Sequence, residues 1–266
     1  MFALRVYLAA LRQSVTPVPL LRAARLWEVD VLRGVAIGMM VVYHLMWDLT
    51  SLGGYAIAVR SGFWNIWQII TASLFTTLVG VALTLSYQRE RKQHPTGSLW
   101  PKYLLRGLVL LTWGVVIGTV TYLALGRGAY VRFGILHLIG LSIILAYPLL
   151  RFRWLNLALA VIITALTPLV AALHLHAPWL EWLAATPGSG VDYAPLLPWF
   201  GRVLFGVFLG NLVYTARGER HFPLPGAPAD PITRTLRLLG QNSLLIYLLH
   251  QPLLLIVLTL LGAIRW

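Results

Sequence analysis

His44 and Asp48 stand four residues apart in "MVVYHLMWDL", residues 40–49, inside a run otherwise apolar enough to cross a bilayer. On a helix that spacing makes the two side chains neighbours on one face. An ionised aspartate beside a histidine fixes the imidazole tautomer and stabilises the imidazolium, which is what a general base requires. A pair that merely ties two helices together has the same spacing, so these two residues alone leave both readings open. They belong, however, to a longer line. At 100° per residue Asp30, Arg33, Ile37, Val41, His44 and Asp48 fall within about 80° of one another. The rise from Arg33 to His44 is about 16 Å. Such a stripe cannot face lipid; it must face protein or a water-filled cavity.

The elements that carry this stripe follow from composition. The chain of 266 residues is 59% hydrophobic and 11% charged, more apolar surface than one soluble core can hide. Runs of about 20 apolar residues predict transmembrane helices at 30–51, 64–87, 103–125, 133–150, 154–174, 198–215 and 239–262. The alternation of an outer-membrane barrel is absent. The expected fold is therefore all-α, a polytopic transmembrane bundle of about seven spans. Residues 1–27 read as a cytoplasmic or interfacial lead-in without an evident signal peptide, and residues 28–266 as a single integral membrane domain. The stretch 216–238, rich in Pro, Gly and charge, reads as a mobile cytoplasmic loop.

The net charge of +13 reports topology, not a nucleic-acid face. Arg5, Arg12, Arg22, Arg25, Arg89, Arg91, Lys92, Lys102, Arg151, Arg153, Arg217, Arg220, Arg234 and Arg237 fall in alternate segments. The other segments keep Arg60, Arg127, Arg132 and Arg265. Positive-inside bias then sets N-in, C-out. With that topology His44 and Asp48 lie in the outer half of the first span. His137 in "FGILHLIGL" starts in the outer half of the fourth, and Asp192, Trp199 and Arg202 mark the outer end of the sixth. His250 lies past the midpoint of the seventh, on one face with Ser243 and Tyr247. Polar groups of four spans thus share a level. Gly34/Gly38, Gly114/Gly118 and Gly206/Gly210 have the small-xxx-small spacing of close helix packing.

No cysteine is present, so disulfides and thiolate catalysis are excluded. His174 and His176 lack a carboxylate or cysteine cluster, and no metal is expected. Nor is there a GxSxG, Walker or GxGxxG motif.

Four blocks carry a resemblance: "RLWEVDVLRGVAIGMMVVYHLMWDL", "VRFGILHLIGLSIILAY", "YAPLLPWFGRVLFGVFLGN" and "LGQNSLLIYLLHQPLLL". In that order, over about residues 25–255, the chain resembles the bacterial heparan-α-glucosaminide N-acetyltransferase-like membrane proteins. The "D-x-x-RG" opening is shared more loosely with the wider membrane acyltransferase superfamily. The resemblance implies an enzyme of the bacterial cytoplasmic membrane that moves an acetyl group from cytosolic acetyl-CoA to an amine or hydroxyl of a glycan or glycolipid outside. It implies that Glu28, Asp30 and Arg33 line the cytoplasmic mouth, and that His44 is the base. Lys102 and Arg106 are further candidates for the donor's phosphates. Asp48 would orient His44, with His250 as a second catalytic candidate. His137, Asp192, Trp199, Arg202, Asn242 and Tyr247 are candidates for contact with substrate. In the lysosomal branch the catalytic histidine lies after the first span, whereas here no histidine occurs between His44 and His94. Direct transfer and an acyl-His44 intermediate both remain open. The rival function is a proton-coupled small-molecule transporter with the intramembrane His and Asp groups as its relay.

Overall fold

The structure, a computed structural model, describes residues 2–17, 26–128, 130–173, 178–183, 191–215, 219–222 and 224–264. Arg22, Arg25, His174, His176, Arg217 and Arg265 lie outside the described residues. The helices are α1 (Phe2–Ser14), α2 (Trp27–Ser51), α3 (Gly62–Gln93), α4 (Trp100–Leu125), α5 (Ile135–Ala146), α6 (Trp154–Ala172), α7 (Leu196–Val213), α8 (Pro231–Gln241) and α9 (Ser243–Leu260). Among the described residues there is no strand, only an isolated bridge between Tyr214 and Arg220. Six helices (α2, α3, α4, α6, α7 and α9) are long and apolar enough to cross a membrane, and the turn after α5 extends a shorter apolar helix to Leu149. The chain is a polytopic helical membrane protein.

Two sequence boundaries shift for physical reasons. The predicted span 133–150 becomes a twelve-residue α-helix closed by the 3-10 turn Tyr147–Leu149. Pro148 lacks the N–H that would continue the α-helix. The stretch expected to be a mobile loop contains α8. Asp230 precedes Pro231 and accepts a 2.8 Å hydrogen bond from the Thr233 N–H. An acidic N-cap followed by proline at the first helical position is a helix start, and that signal outweighs loop-like composition. A break at Asn242 separates α8 from α9.

The described residues form two compact units. One unit holds residues 12–78 and 225–266: α2, the first part of α3, α8 and α9. Here α8 lies along α2 so closely that backbones touch. A Cβ on Gly34 would strike the Leu236 carbonyl, and one on Gly240 would strike the carbonyl of Asp30. Gly38, its spaced partner, meets nothing within 4 Å. Between α2 and α3, the Trp67 indole donates to the Met39 carbonyl at 2.9 Å and the Tyr43 hydroxyl to Gln68 at 3.1 Å.

The other unit holds residues 1–11 and 79–224. In it α4 packs on α5, α5 on α7 and α6 on α7. Leu138, Ile143, Val203, Leu204 and Val207 form its sealed core. Gly80 and Gly210 admit close approach of α3 to α7, the latter against Thr84. Tyr7 of α1 is hydrogen-bonded to Thr112 of α4, so the first helix is seated on a span.

Candidate active site

The stripe on α2 is turned inward as its periodicity requires: Asp30 is 2% exposed, Ile37 1% and Asp48 0%, with Arg33, Val41 and His44 half-buried between them. Its N-terminal end is an ionic cluster. Asp30 accepts from Gln241 at 2.8 Å and from Arg33 at 3.4 Å, while Arg33 also reaches the Gly240 carbonyl at 3.5 Å. The sequence reading assigns Asp30 to the donor's cofactor moiety; in the structure its carboxylate pins α8 to α2. Arg33 remains half-buried beside it. Asn242 caps the break between α8 and α9 by donating to the Leu238 carbonyl at 2.9 Å.

One helical stretch further along α2, His44 meets His250 of α9 edge to face, ring centroids 4.8 Å apart. Each ring is held from behind. His44 Nδ1 is 2.9 Å from the Met40 carbonyl and His250 Nδ1 is 2.7 Å from that of Tyr247. A carbonyl can only accept, so in the neutral rings Nδ1 carries the proton and Nε2 keeps its lone pair. Tyr247 also packs against the His250 ring at 5.7 Å. The sequence reading makes Asp48 the group that orients His44. The structure gives that task to Met40, and Asp48 Oδ1 instead accepts a 2.7 Å bond from Gln251 Nε2. A backbone carbonyl four residues back is always within reach on a helix, and it wins the imidazole N–H.

Asp48 therefore links α2 to α9 through Gln251 while standing one turn from His44. Asp48 Oδ2, Gln251 Oε1 and His250 Nε2 are buried and have no hydrogen-bond partner among the described residues. Buried polar atoms are ordinarily satisfied, and a cluster of open acceptors beside a histidine pair is what a site for a donor-bearing substrate looks like. The arrangement can accept a proton at an imidazole and hold an anionic carboxylate against the imidazolium that results.

The remaining candidates lie in the other unit. His137 Nδ1 accepts from the Gly134 N–H at 3.2 Å, closing the first turn of α5, and its ring lies flat against Gly114 and stacks on Phe133. Asp192 accepts from the Ile135 N–H at 3.3 Å, a carboxylate at a helix N-terminus. Both residues thus have structural tasks at the start of α5. Arg202 stacks on Trp199, 4.2 Å from its ring, and its Nη1 is buried without a hydrogen bond among the described residues. Lys102 pairs with Glu90 at 2.5 Å, and Arg106 is exposed. Tyr193 donates to the Glu181 carbonyl at 2.5 Å; burial first, then the Glu181 charge, push its phenol up to about 12, so it stays a donor.

Residues 25–252 match the family described as heparan-alpha-glucosaminide N-acetyltransferase, catalytic. The chain belongs to this family. The match covers α2 and nearly the whole of the bundle, including His44, Asp48, His250 and Gln251. Membership in the heparan-alpha-glucosaminide N-acetyltransferase catalytic family makes the chain a membrane enzyme of the acetyltransferase type. No curated relative and no solved structure matches it. Gln241 and Gln251, which hold Asp30 and Asp48, are the two residues of the candidate site that charge-based reading passes over. Their signal was a polar amide inside an apolar run, next to Asn242 and His250 respectively.

Proposed function

We propose that this protein transfers an acetyl group from cytosolic acetyl-CoA to an amine or hydroxyl of a glycan or glycolipid on the other side of a cytoplasmic membrane, with its N-terminus inside. The observation that carries this reading is the His44–His250 contact, in which both rings are anchored through Nδ1 beside the buried Asp48–Gln251 pair. His44 Nε2 removes the acceptor's proton as the acceptor's lone pair attacks the thioester carbonyl carbon. The C–S bond breaks, the thiolate leaves, and the proton passes from the imidazolium to that sulfur. Asp48 stabilises the imidazolium at i, i+4 distance. Arg33, beside Asp30 at the N-terminal end of α2, supplies a cation for the anionic donor. His250 is a second base or, once protonated, a donor to the developing oxyanion.

A proton relay for transport would use the same His and Asp groups, so the test must separate them. Proteoliposomes are loaded with glucosamine and given labelled acetyl-CoA outside, under conditions where acetyl-CoA does not leak. Acetylated amine inside, with free CoA outside in equal amount, supports transfer. Uptake or release of glucosamine that depends on a pH gradient, with acetyl-CoA untouched, would establish the relay instead.

A further inference from the structure

At the end of α4 the described residues enclose a groove of about 300 Å³ between α4, the segment 130–132 and α5. Its floor exists because α4 carries two glycines there. Gly114 receives the His137 ring, and a Cβ on Gly118 would come within 2.8 Å of the Val131 carbonyl. The walls are rich in donors. His137 accepts at Nδ1, which leaves the proton on Nε2. Arg132 Nε is buried and has no hydrogen-bond partner among the described residues. The Tyr122 hydroxyl accepts from Arg127 at 3.3 Å, so its own hydrogen is free to be given.

Charge points the same way. Of the carboxylates nearby, Glu181 is bound to Arg132 at 2.7 Å and Asp192 to the N-terminus of α5. Arg127 has no carboxylate partner among the described residues. An open cation among free N–H and O–H donors selects an acceptor-rich anion. The groove is also open on its apolar side. Val115, which lines it, is 58% exposed, and Val120 and Leu123 on the same helix are 58% and 78% exposed. In a spanning helix such residues face hydrocarbon, and Tyr122 and Tyr130 stand where interfacial aromatics do.

We propose that this groove binds the phosphate headgroup of a membrane lipid, with Arg127, Arg132, His137 and Tyr122 donating to the phosphate and the lipid chains lying along Val115. A soluble phosphate would meet the same donors but would gain nothing from the apolar flank, which is why the occupant is a lipid. The site stands independently of the acyl-transfer reading.

The test is native mass spectrometry of the purified full chain titrated with phosphatidylglycerol. The wild type is expected to retain one phosphatidylglycerol at least tenfold more tightly than Arg127→Gln or Thr119→Trp. Thr119 is exposed on α4 and lines the groove, so its replacement by tryptophan fills the space and leaves the Arg132–Glu181 pair intact. An unchanged melting temperature in Thr119→Trp separates loss of the lipid from loss of the fold. Equal retention by wild type and both variants, or no retained lipid in any, overturns the proposal. Displacement by glycerol 3-phosphate as effective as by lipid would also overturn it and make the groove a soluble-phosphate site.

Discussion

Replacing Gln251 by leucine should destabilise the α2–α9 contact through one atom pair. Asp48 is fully buried, and its Oδ1 receives the Gln251 amide at 2.7 Å. Its second oxygen has no partner among the described residues, so that amide is the only side-chain hydrogen bond the carboxylate receives there. Leucine is close to glutamine in volume, and packing changes little. What is lost is a hydrogen bond to a carboxylate, worth about 1.5–3 kcal/mol, and the charge stays behind unpaired. Removing both partners is different. The double variant Asp48→Leu/Gln251→Leu leaves neither partner of the bond behind, so its cost should fall short of the sum of the two single costs by at least about 1 kcal/mol. The assay is reversible unfolding by SDS in mixed micelles, followed by tryptophan fluorescence. Strictly additive costs, or a Gln251→Leu cost below about 0.5 kcal/mol, would refute the reasoning. Acetyl transfer by the single variant should fall more than its stability does, because Asp48 would lose its fixed position beside His44.

Two other perturbations have outcomes set by the structure. Gly240→Ala drives a methyl into the Asp30 carbonyl, which as backbone cannot swing aside, and should cost about 1–3 kcal/mol of stability; Gly38→Ala, with open space around it, should be close to neutral in the same thermal melt. The Asp230 carboxyl is held below its ordinary range, first by the Thr233 backbone N–H. A depressed folded-state value means that the cap contributes above the unfolded pKa and is lost as pH falls through the folded one. Asp230→Ala should therefore speed amide exchange in the first turn of α8 at pH 7, and the difference from wild type should vanish below the carboxylate range; a difference that persists in acid would contradict the cap.

Much of this architecture is legible because the bilayer allows few alternatives. The spans at 30–51, 103–125 and 154–174 correspond to α2, α4 and α6 within a few residues, since an apolar run of that length has one way to satisfy its backbone. The meeting of His44 with His250 is legible in part: helical periodicity places each on the polar face of its own helix, and the two rings are in contact. What could not be read is which atoms pair. Charge alone suggests that Asp48 serves His44, but the backbone carbonyl of Met40 is nearer to hand, and Asp48 is left to an uncharged amide that no charge pattern reveals. His137 and Asp192 look like site residues from depth and type. The task of Asp192 at the N-terminus of α5 depends on a chain segment folding back over Gly134, which local sequence does not encode, whereas His137 closes the first turn of its own helix from three residues along. Helix α8 was hidden for the opposite reason: its amphipathic, strongly basic sequence reads as loop until Gly34 and Gly240 are seen to let it lie on α2.

The claim at the centre is that His44 takes the acceptor's proton. The most direct measurement is release of CoA from acetyl-CoA by purified wild type, His44→Ala and His250→Ala, in the presence of glucosamine. Loss of release in His44→Ala by at least a hundredfold, with the protein still folded and Asp48 and Gln251 unchanged, is the predicted result. Full activity in His44→Ala would contradict the account, and loss confined to His250→Ala would move the base to α9.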